Sequence, residues 1–172
     1  MRQEKAAYAV LVPLVETKDG VCLLFEKRSE FVPQPGDVCF PGGQIEGNET
    51  PEEAALRETY EELHIPADDI TIEYLMEPIR NIKGWLIQPV VAWLKNEALE
   101  KISLQTAEVA EAFTIPVKWL AENPPKEIFG FRYVSPDRKC LVYPEYNSNV
   151  LWGLSAKITG FFLEEFLKEN GL

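Results

Sequence analysis

The strongest chemical signal in the sequence is a concentration of carboxylates. Between positions 46 and 62 there are seven glutamates and one arginine, which carry −6 of the chain's net charge of −11. Three of these glutamates, Glu58, Glu61 and Glu62, are spaced at i, i+3 and i+4 and would share one face of a helix. Like charges at this spacing destabilise a helix by roughly a few tenths of a kcal/mol per pair. The cluster therefore indicates either a solvated surface or a site that binds a cation.

The residues that precede this helix favour the cation. Pro41, Gly42 and Gly43 predict a tight turn, where the backbone can approach a ligand closely. Mg²⁺ and Mn²⁺ take oxygen ligands from carboxylates, carbonyls and substrate phosphates. Arg57, the one cation among the acids, is placed to pair with one of them and to limit their mutual repulsion. Carboxylate-bound metals beside a glycine turn indicate chemistry on phosphates.

At this spacing the segment resembles the Nudix box. That motif reads Gly, five residues, Glu, seven residues, and then Arg-Glu-hydrophobic-x-Glu-Glu-x-Gly-hydrophobic. The chain matches the glycine and all five charged positions, namely Gly43, Glu49, Arg57, Glu58, Glu61 and Glu62. Two positions depart from the motif, because Thr59 replaces an aliphatic residue and His64 replaces the glycine that ends the helix in a left-handed conformation. Histidine tolerates that conformation better than most residues, so we expect the helix to end at the same place.

The resemblance to the Nudix hydrolase superfamily implies a reaction and a set of metal ligands. Glu58, Glu61 and Glu62 would bind Mg²⁺ or Mn²⁺ together with the backbone carbonyl of Gly42. The implied reaction is hydrolysis of a diphosphate linkage in a nucleoside diphosphate derivative. In such a reaction metals neutralise the diphosphate and position a water, which a carboxylate deprotonates.

The resemblance also implies roles for the other charged residues. Arg57 would pair with Glu49 and orient the cluster, which is a structural role. The carboxylate that acts as the base varies among such enzymes. Glu58 and Glu61 are the catalytic candidates inside the box, and Glu58 is preferred as the base. Glu108 is the candidate outside the box, with an ordinary surface glutamate as the alternative interpretation.

The segments around the box are similar to those of coenzyme A diphosphatases. Residues 23–29 read Leu-Leu-Phe-Glu-Lys-Arg-Ser, residues 40–43 read Phe-Pro-Gly-Gly, and residues 152–156 read Trp-Gly-Leu-Ser-Ala. This resemblance implies that coenzyme A, or an acyl-CoA, is split into 3′,5′-ADP and the (acyl-)4′-phosphopantetheine.

The same resemblance implies that Lys27, Arg28 and Gly43 bind the substrate. Pro33 departs from it, because family members carry there an arginine that could hold the phosphorylated ribose. ADP-ribose or a nucleoside triphosphate is therefore the alternative substrate. Two hypotheses from other classes also remain open: a non-catalytic nucleotide-binding module, and an acidic interaction surface without a metal.

The elements that must position these residues indicate an α/β protein. The order of strands and helices, together with the resemblance, predicts an α/β/α sandwich with a mixed β-sheet and a single domain over residues 1–172. Capping signals at Thr50, Pro51 and Glu53 predict a helix over 50–63. Its buried side is expected to include Ala54 and Tyr60. The predicted strands are 8–15, 21–27, 38–40, 71–78, 86–94 and 108–115, followed by a helix over 116–122, a hairpin of 129–134 with 139–143, and an amphipathic helix over the last 20 residues.

The composition excludes several kinds of partner. A pI near 4.6 and a net charge of −11 argue against binding of nucleic acid or of an anionic membrane surface. The three cysteines show no metal-binding spacing, and they predict free thiols in a reducing, cytoplasmic compartment. The expected partner is a small nucleotide substrate, and a homodimer is left open.

Overall fold

A computed structural model describes residues 5–169, in which ten strands and three α-helices are present. The helices are α1 (Pro51–Leu63), α2 (Val117–Glu122) and α3 (Gly153–Glu169). The strands are β1 (Tyr8–Thr17), β2 (Gly20–Arg28), β3 (Val38–Cys39), β4 (Gly42–Gln44), β5 (Ile70–Leu75), β6 (Ile79–Arg80), β7 (Leu86–Leu94), β8 (Val109–Pro116), β9 (Lys126–Phe129) and β10 (Lys139–Val142). Short 3₁₀ turns cover Ala67–Asp69 and Asn96–Lys101.

Strand β1 lies at the centre of an eight-stranded mixed sheet. It pairs in parallel with β7 and antiparallel with β2 and β4. Beyond these neighbours, β2 pairs with β3 and β8, and β7 pairs with β5 and β6. Strands β9 and β10 form a separate two-stranded sheet. The predicted mixed sheet is confirmed.

Both faces of the sheet are covered by helices, which gives the predicted α/β/α sandwich. Side chains alternate between the two faces along a strand, and β1 and β2 follow this rule. Ala9, Leu11 and Val15 of β1 and Cys22 and Leu24 of β2 share a buried cluster with α1. The intervening positions face the opposite cluster, which contains α3 residues. They are Val12, Leu14, Leu23 and Phe25.

Helix α1 begins and ends where the sequence predicts. The Thr50 hydroxyl accepts a hydrogen bond from the Glu53 amide (3.2 Å), and the Glu53 carboxylate accepts one from the Thr50 amide (2.8 Å). This reciprocal pair is the capping box that satisfies two free amides of the first turn. At the other end His64 is left-handed, with φ 57° and ψ 27°, and its amide donates to the Tyr60 carbonyl. Histidine therefore replaces glycine there without lengthening the helix.

Two local expectations about this region were wrong. Tyr60 is 53% exposed, and Thr59 is buried in its place. The Thr59 hydroxyl donates to the Ala55 carbonyl (2.7 Å), so its polar group is satisfied within the helix. Residues 42–44 form strand β4 rather than a turn, because the first residues of β1 supply them with an antiparallel partner.

The second hairpin also differs from the prediction. Its first strand, β9, starts three residues before the predicted 129–134. It pairs antiparallel with β10, so that Lys126 lies opposite Val142 and Phe129 lies opposite Lys139. Residues 130–138 form the connecting loop, in which Gly130 (φ 58°) and Arg132 (φ 49°) are left-handed. Left-handed residues break a strand, so the pairing ends at Phe129.

Two predictions from composition can be compared with residues 5–169. The three cysteines in this range are all free thiols, as expected. None of the helices in the same range is long and apolar enough to cross a membrane.

Candidate metal and active site

Helix α1 presents its glutamates to the start of strand β4. Glu62 is buried at 6% exposure, and its Oε2 accepts a hydrogen bond from the Gly42 amide (3.0 Å). The Glu58 carboxylate lies directly against Gly43, where a Cβ atom would overlap it. The structure therefore brings two of the predicted metal ligands, Glu58 and Glu62, against the two glycines that the sequence singled out.

Arg57 joins the loop before α1 to the glutamates on the helix. Its Nε and Nη2 donate to both oxygens of Glu49 (2.7 and 3.0 Å), which is the pair that the sequence predicts. Nη1 also donates to Glu58 (2.8 Å) and lies 3.5 Å from Glu61, and Nη2 donates to the Gln44 carbonyl (2.9 Å). The hydrogen bonds from Arg57, with one from the Glu46 amide, lower the pKa of Glu49 to about 2.

Burial disfavours the charged form of the two glutamates nearest the glycines. Burial, followed by the charge of Glu26, raises the pKa of Glu62 to about 9. Burial also raises the pKa of Glu58, against the lowering effect of Arg57. Groups with these shifts bind a proton or a metal ion in preference to remaining bare anions. The donor set is made of carboxylates and a glycine backbone, and it fits a hard divalent cation.

The predicted ligands do not converge on one point in this conformation. Among residues 5–169, no three His, Cys, Asp or Glu side chains are grouped closely enough to hold an ion. The hydrogen bonds show why, because Arg57 draws Glu58 and Glu61 towards itself while Glu62 turns to the Gly42 amide. Glu58 and Glu61 must leave Arg57 before they can serve as ligands together with Glu62.

Glu108 lies across an open groove from the glutamates of α1. The groove has a volume of about 570 Å³ and runs between Glu61 and Glu62 on one side and residues 104–106 and Glu108 on the other. The charge of Glu108 contributes to the raised pKa of both Glu58 and Glu62. Backbone bonds fix the two walls, since the Gln105 amide donates to the Glu62 carbonyl and the Ser29 amide to that of Glu108.

Lys27 and Arg28 are placed differently relative to this groove. Alternation along β2 puts Arg28 on the α1 side of the sheet and Lys27 on the other side. Lys27 lies 4.0 Å from Glu111, its partner in β8. The Nε of Arg28 donates to the Pro33 carbonyl (2.8 Å). Of the two predicted phosphate contacts, only Arg28 lies on the face that carries the carboxylates.

Sequence reasoning missed Glu26, which belongs to the same cluster. It is 2% exposed, burial raises its pKa to about 7, and its charge contributes to the raised pKa of Glu62. A signal was present in the sequence, because Glu26 lies on the same face of β2 as Cys22 and Leu24, which share a buried cluster with α1. A glutamate on that face of the strand is buried next to the helix.

A second polar contact had no signal in the sequence. Asp37 is buried at 6% exposure, forms an ion pair with Arg132 and accepts a hydrogen bond from the Trp152 Nε1 (3.1 Å). These partners are 95 and 115 residues away along the chain. Trp152 therefore holds the loop that contains Asp37. Another tryptophan, Trp85, is 43% exposed and stacks on Tyr8 with ring centroids 5.1 Å apart.

The fold and the site together define an α/β/α sandwich that carries an acidic helix against a pair of glycines. The NUDIX domain family matches residues 5–138, which is most of the chain. The chain therefore belongs to the NUDIX domain family, and the resemblance read from the box is confirmed.

Individual relatives carry related names. "Nudix hydrolase 3" of Caenorhabditis elegans is 37% identical over 121 residues, which cover 69% of this chain and 50% of that protein. This chain therefore spans about half the length of that relative. The mitochondrial coenzyme A diphosphatase NUDT8 of Homo sapiens is 29% identical over 167 residues, covering 95% of this chain and 71% of that protein.

Solved structures agree on the fold. The Nudix hydrolase RenU of M. smegmatis superposes with a TM-score of 0.58 at 24% identity, over 68% of this chain and 74% of that one. At this identity the likeness bears on the fold, and it confirms the α/β/α sandwich.

Proposed function

We propose that this NUDIX domain hydrolyses a diphosphate linkage in a nucleoside diphosphate derivative with Mg²⁺ or Mn²⁺ as its cofactor. The observation that carries the proposal is the arrangement of Glu58 and Glu62 against Gly42 and Gly43, beside a groove whose wall includes Glu61. The groove is lined by three glutamates and by no lysine or arginine among the described residues. An anionic diphosphate can enter such a groove only if a cation stands between it and the carboxylates.

Glu58, Glu61, Glu62 and the backbone carbonyl of Gly42 would hold the ion. When bound, it supplies positive charge to the diphosphate and lowers the pKa of a bound water. Arg57 keeps α1 fixed to the preceding loop through Glu49, so the ligands that α1 carries keep their position relative to Gly42.

A carboxylate of this cluster would accept the proton of the attacking water. Glu58 is our first candidate, since burial raises its pKa and thereby its affinity for a proton. Glu108, which faces the groove from the opposite wall, is the second candidate. The oxygen of the deprotonated water then attacks one phosphorus atom, and the bridging oxygen leaves with the other phosphate. Glu61, which also lines the groove, is the third candidate for the catalytic base.

Coenzyme A is the substrate we favour. The segments that flank the box resemble coenzyme A diphosphatases, and a relative of that name aligns over 95% of this chain. Gly43 and Arg28 would face the substrate, and Lys27 is the alternative cation. One observation favours ADP-ribose or a nucleoside triphosphate instead. Lys27 is paired with Glu111, and Arg28 is bound to the carbonyl of Pro33, so neither cation is held ready for the extra phosphate of coenzyme A.

A panel of nucleoside diphosphate derivatives, with products identified by mass spectrometry, tests the proposal. We expect turnover with Mg²⁺ or Mn²⁺ and none with a chelator. A metal ion at a hundred times its dissociation constant should stabilise the fold by about 2.7 kcal/mol, which raises the Tm by about 5–11 °C for a chain of this size. Glu62→Gln should abolish turnover and most of that shift. Nucleotide binding without turnover would instead identify a binding module, and no Mn²⁺ effect on the Tm would identify an acidic interaction surface.

Arg28→Ala and Lys27→Ala form a matched pair that tests the choice of substrate. Coenzyme A and 3′-dephospho-coenzyme A differ by one phosphate, and a contact to that phosphate serves only one of them. We expect wild type to prefer coenzyme A in kcat/KM, Arg28→Ala to reduce that preference, and Lys27→Ala to retain it. Higher kcat/KM for ADP-ribose or a nucleoside triphosphate would refute the coenzyme A assignment and leave the diphosphate chemistry standing.

The expected partner remains a small nucleotide, and neither nucleic acid nor a membrane is proposed as one. The single domain over 1–172, the cytoplasmic location and the homodimer stay predictions from the sequence.

A further inference from the structure

Glu26 is a buried carboxylate that forms no ion pair within residues 5–169, although the charge of Arg28 acts on it from a distance. It lies in β2 on the side of the sheet that packs on α1, and it is 2% exposed. Among the described residues, none donates a hydrogen bond to its buried Oε2, and its Oε1 receives the weak S–H donor of Cys39 at 3.4 Å. Burial without a strong donor is costly for a carboxylate, so the position calls for a reason beyond packing.

The neighbour of Glu26 is a second buried carboxylate. Glu62 is 6% exposed, and both carboxyl groups contact the same short segment, Glu26 the Cys39 thiol (3.4 Å) and Glu62 the Gly42 amide (3.0 Å). The charge of Glu26 acts on Glu62. Within residues 5–169, neither of them forms an ion pair with a lysine or an arginine. The nearby cations are engaged elsewhere, Arg57 with Glu49 and Glu58, and Arg28 with the Pro33 carbonyl.

Two adjacent buried carboxylates give their site a higher affinity for a cation. Each one repels the other in a medium of low dielectric constant, and a metal ion relieves that repulsion when it binds to one of them. Glu62 also has one oxygen held by the Gly42 amide. Glu26 therefore both restricts the orientation of the Glu62 carboxyl and adds negative charge behind it.

We propose that Glu26 is a positioning residue of the metal site, which acts on the cation through Glu62. The inference rests on the proposed function, because it requires that Glu62 bind a divalent ion. It adds to the site a carboxylate that lies outside the Nudix box, on a different element of the fold.

Glu26→Gln tests this inference, since it keeps the shape of the side chain and removes its charge. The dissociation constant for Mn²⁺ is measured from the EPR signal of the free ion, and the Tm is measured with and without Mn²⁺. We expect Mn²⁺ to bind about 10-fold more weakly or worse, as is usual when the group behind a metal ligand is lost. The metal-free Tm should be unchanged or higher, because glutamine keeps the shape of the side chain and its amide can exchange a hydrogen bond with Glu62 without a charge to bury.

Three further variants make the result specific. Glu16→Gln, an exposed glutamate at the far end of β1, should leave the Mn²⁺ affinity unchanged. Glu26→Asp, which keeps the charge, should recover part of the affinity lost in Glu26→Gln. In a Glu62→Gln background, Glu26→Gln should have no further effect on Mn²⁺ binding, because the path through Glu62 is already broken.

The outcomes separate this inference from the proposed function. If wild type binds Mn²⁺ and Glu26→Gln binds it equally well, the inference is wrong and the proposed function stands. A lower metal-free Tm with unchanged affinity would show that Glu26 has a structural role alone. If wild type binds no Mn²⁺, or if Glu62→Gln binds it as wild type does, the proposed ligand set fails and the role of Glu26 fails with it.

Discussion

Substitution by alanine should have different effects at the adjacent glycines 42 and 43. A Cβ atom on Gly43 would meet the carboxylate of Glu58 and no backbone atom among its nearest neighbours. A Cβ atom on Gly42 would meet the Ala9 carbonyl oxygen and the Val10 Cα, which are backbone atoms of β1. Gly42 also has φ 153°, a value that side-chain-bearing residues rarely adopt. Gly43→Ala therefore displaces a flexible side chain, and Gly42→Ala displaces a strand.

The difference in stability follows from these contacts. In Gly42→Ala the overlap with β1 costs about 1–3 kcal/mol and the backbone strain adds to it. A total of about 2–4 kcal/mol lowers the Tm by about 5–15 °C for a chain of this size. In Gly43→Ala the loss is the contact of Glu58 with Arg57, a partly exposed ion pair worth about 1 kcal/mol or less. Its Tm should fall by no more than about 4 °C.

Although Gly43→Ala should change stability little, we expect it to have a large effect on metal binding and turnover. Moving the Glu58 carboxylate away from Gly43 displaces a proposed metal ligand, so Mn²⁺ should bind at least about 10-fold more weakly and kcat should fall with it. Scanning calorimetry and Mn²⁺ titration measure the two effects separately. Gly43→Ala with wild-type Mn²⁺ affinity and turnover would refute the placement of Glu58 in the site. Equal Tm values for the two variants would refute the contacts from which the magnitudes are derived.

Three further predictions concern α1 and the loop before it. Because Glu49 and Arg57 share two hydrogen bonds, Glu49→Gln and Arg57→Met should together cost less unfolding free energy than the sum of the single changes, and additive losses would contradict the pairing. The pKa of Glu49, lowered to about 2 from about 4.3 in the unfolded chain, contributes stability that is complete above about pH 5 and lost as the pH falls towards 2. The Tm difference between wild type and Glu49→Gln should therefore shrink over that range in metal-free protein, and a constant difference would contradict it. Thr59→Val should change the unfolding free energy by less than about 1 kcal/mol, because the lost hydroxyl donates to the Ala55 carbonyl of its own helix. A larger loss in thermal denaturation would show another role for the hydroxyl.

Local signals predicted α1 well. Its cap, its first proline and its left-handed end depend on residues within a few positions of each other, so the sequence contains the whole cause. The pair of Glu49 with Arg57 was expected from the resemblance to the Nudix box, and the two hydrogen bonds between them confirm it. Apolar runs located β1, β2 and β7 for the same reason, because alternation and turn residues are local.

Features that depend on distant partners were not predictable in this way. Strand β4 exists because β1 pairs with it, and the glycines of residues 42–43 suggest a turn when no partner is known. Tyr60 was expected to be buried, but the sheet covers Thr59 instead, and helical periodicity alone does not say which of two adjacent residues faces the core. Alternation along β2 puts Glu26 on the same face as Cys22 and Leu24, but which helix covers that face depends on the fold, and spacing along the chain does not reveal it.

The hydrogen bonds of Arg57 indicate how one arginine could serve both the metal-free state and the proposed metal-binding state. Arg57 contacts three carboxylates, but unequally, with two bonds to Glu49, one to Glu58 at 2.8 Å and a distant contact to Glu61 at 3.5 Å. Glu58 and Glu61 can leave Arg57 for a divalent ion without leaving a buried charge unpaired, because Glu49 and the Gln44 carbonyl retain the guanidinium. Glu49 thus makes the exchange of ligands inexpensive, although it lies outside the set of proposed metal ligands. Without Glu49 this chain would keep its three helical carboxylates, but Arg57 would hold Glu58 and Glu61 more firmly, and we expect the metal affinity to fall for that reason.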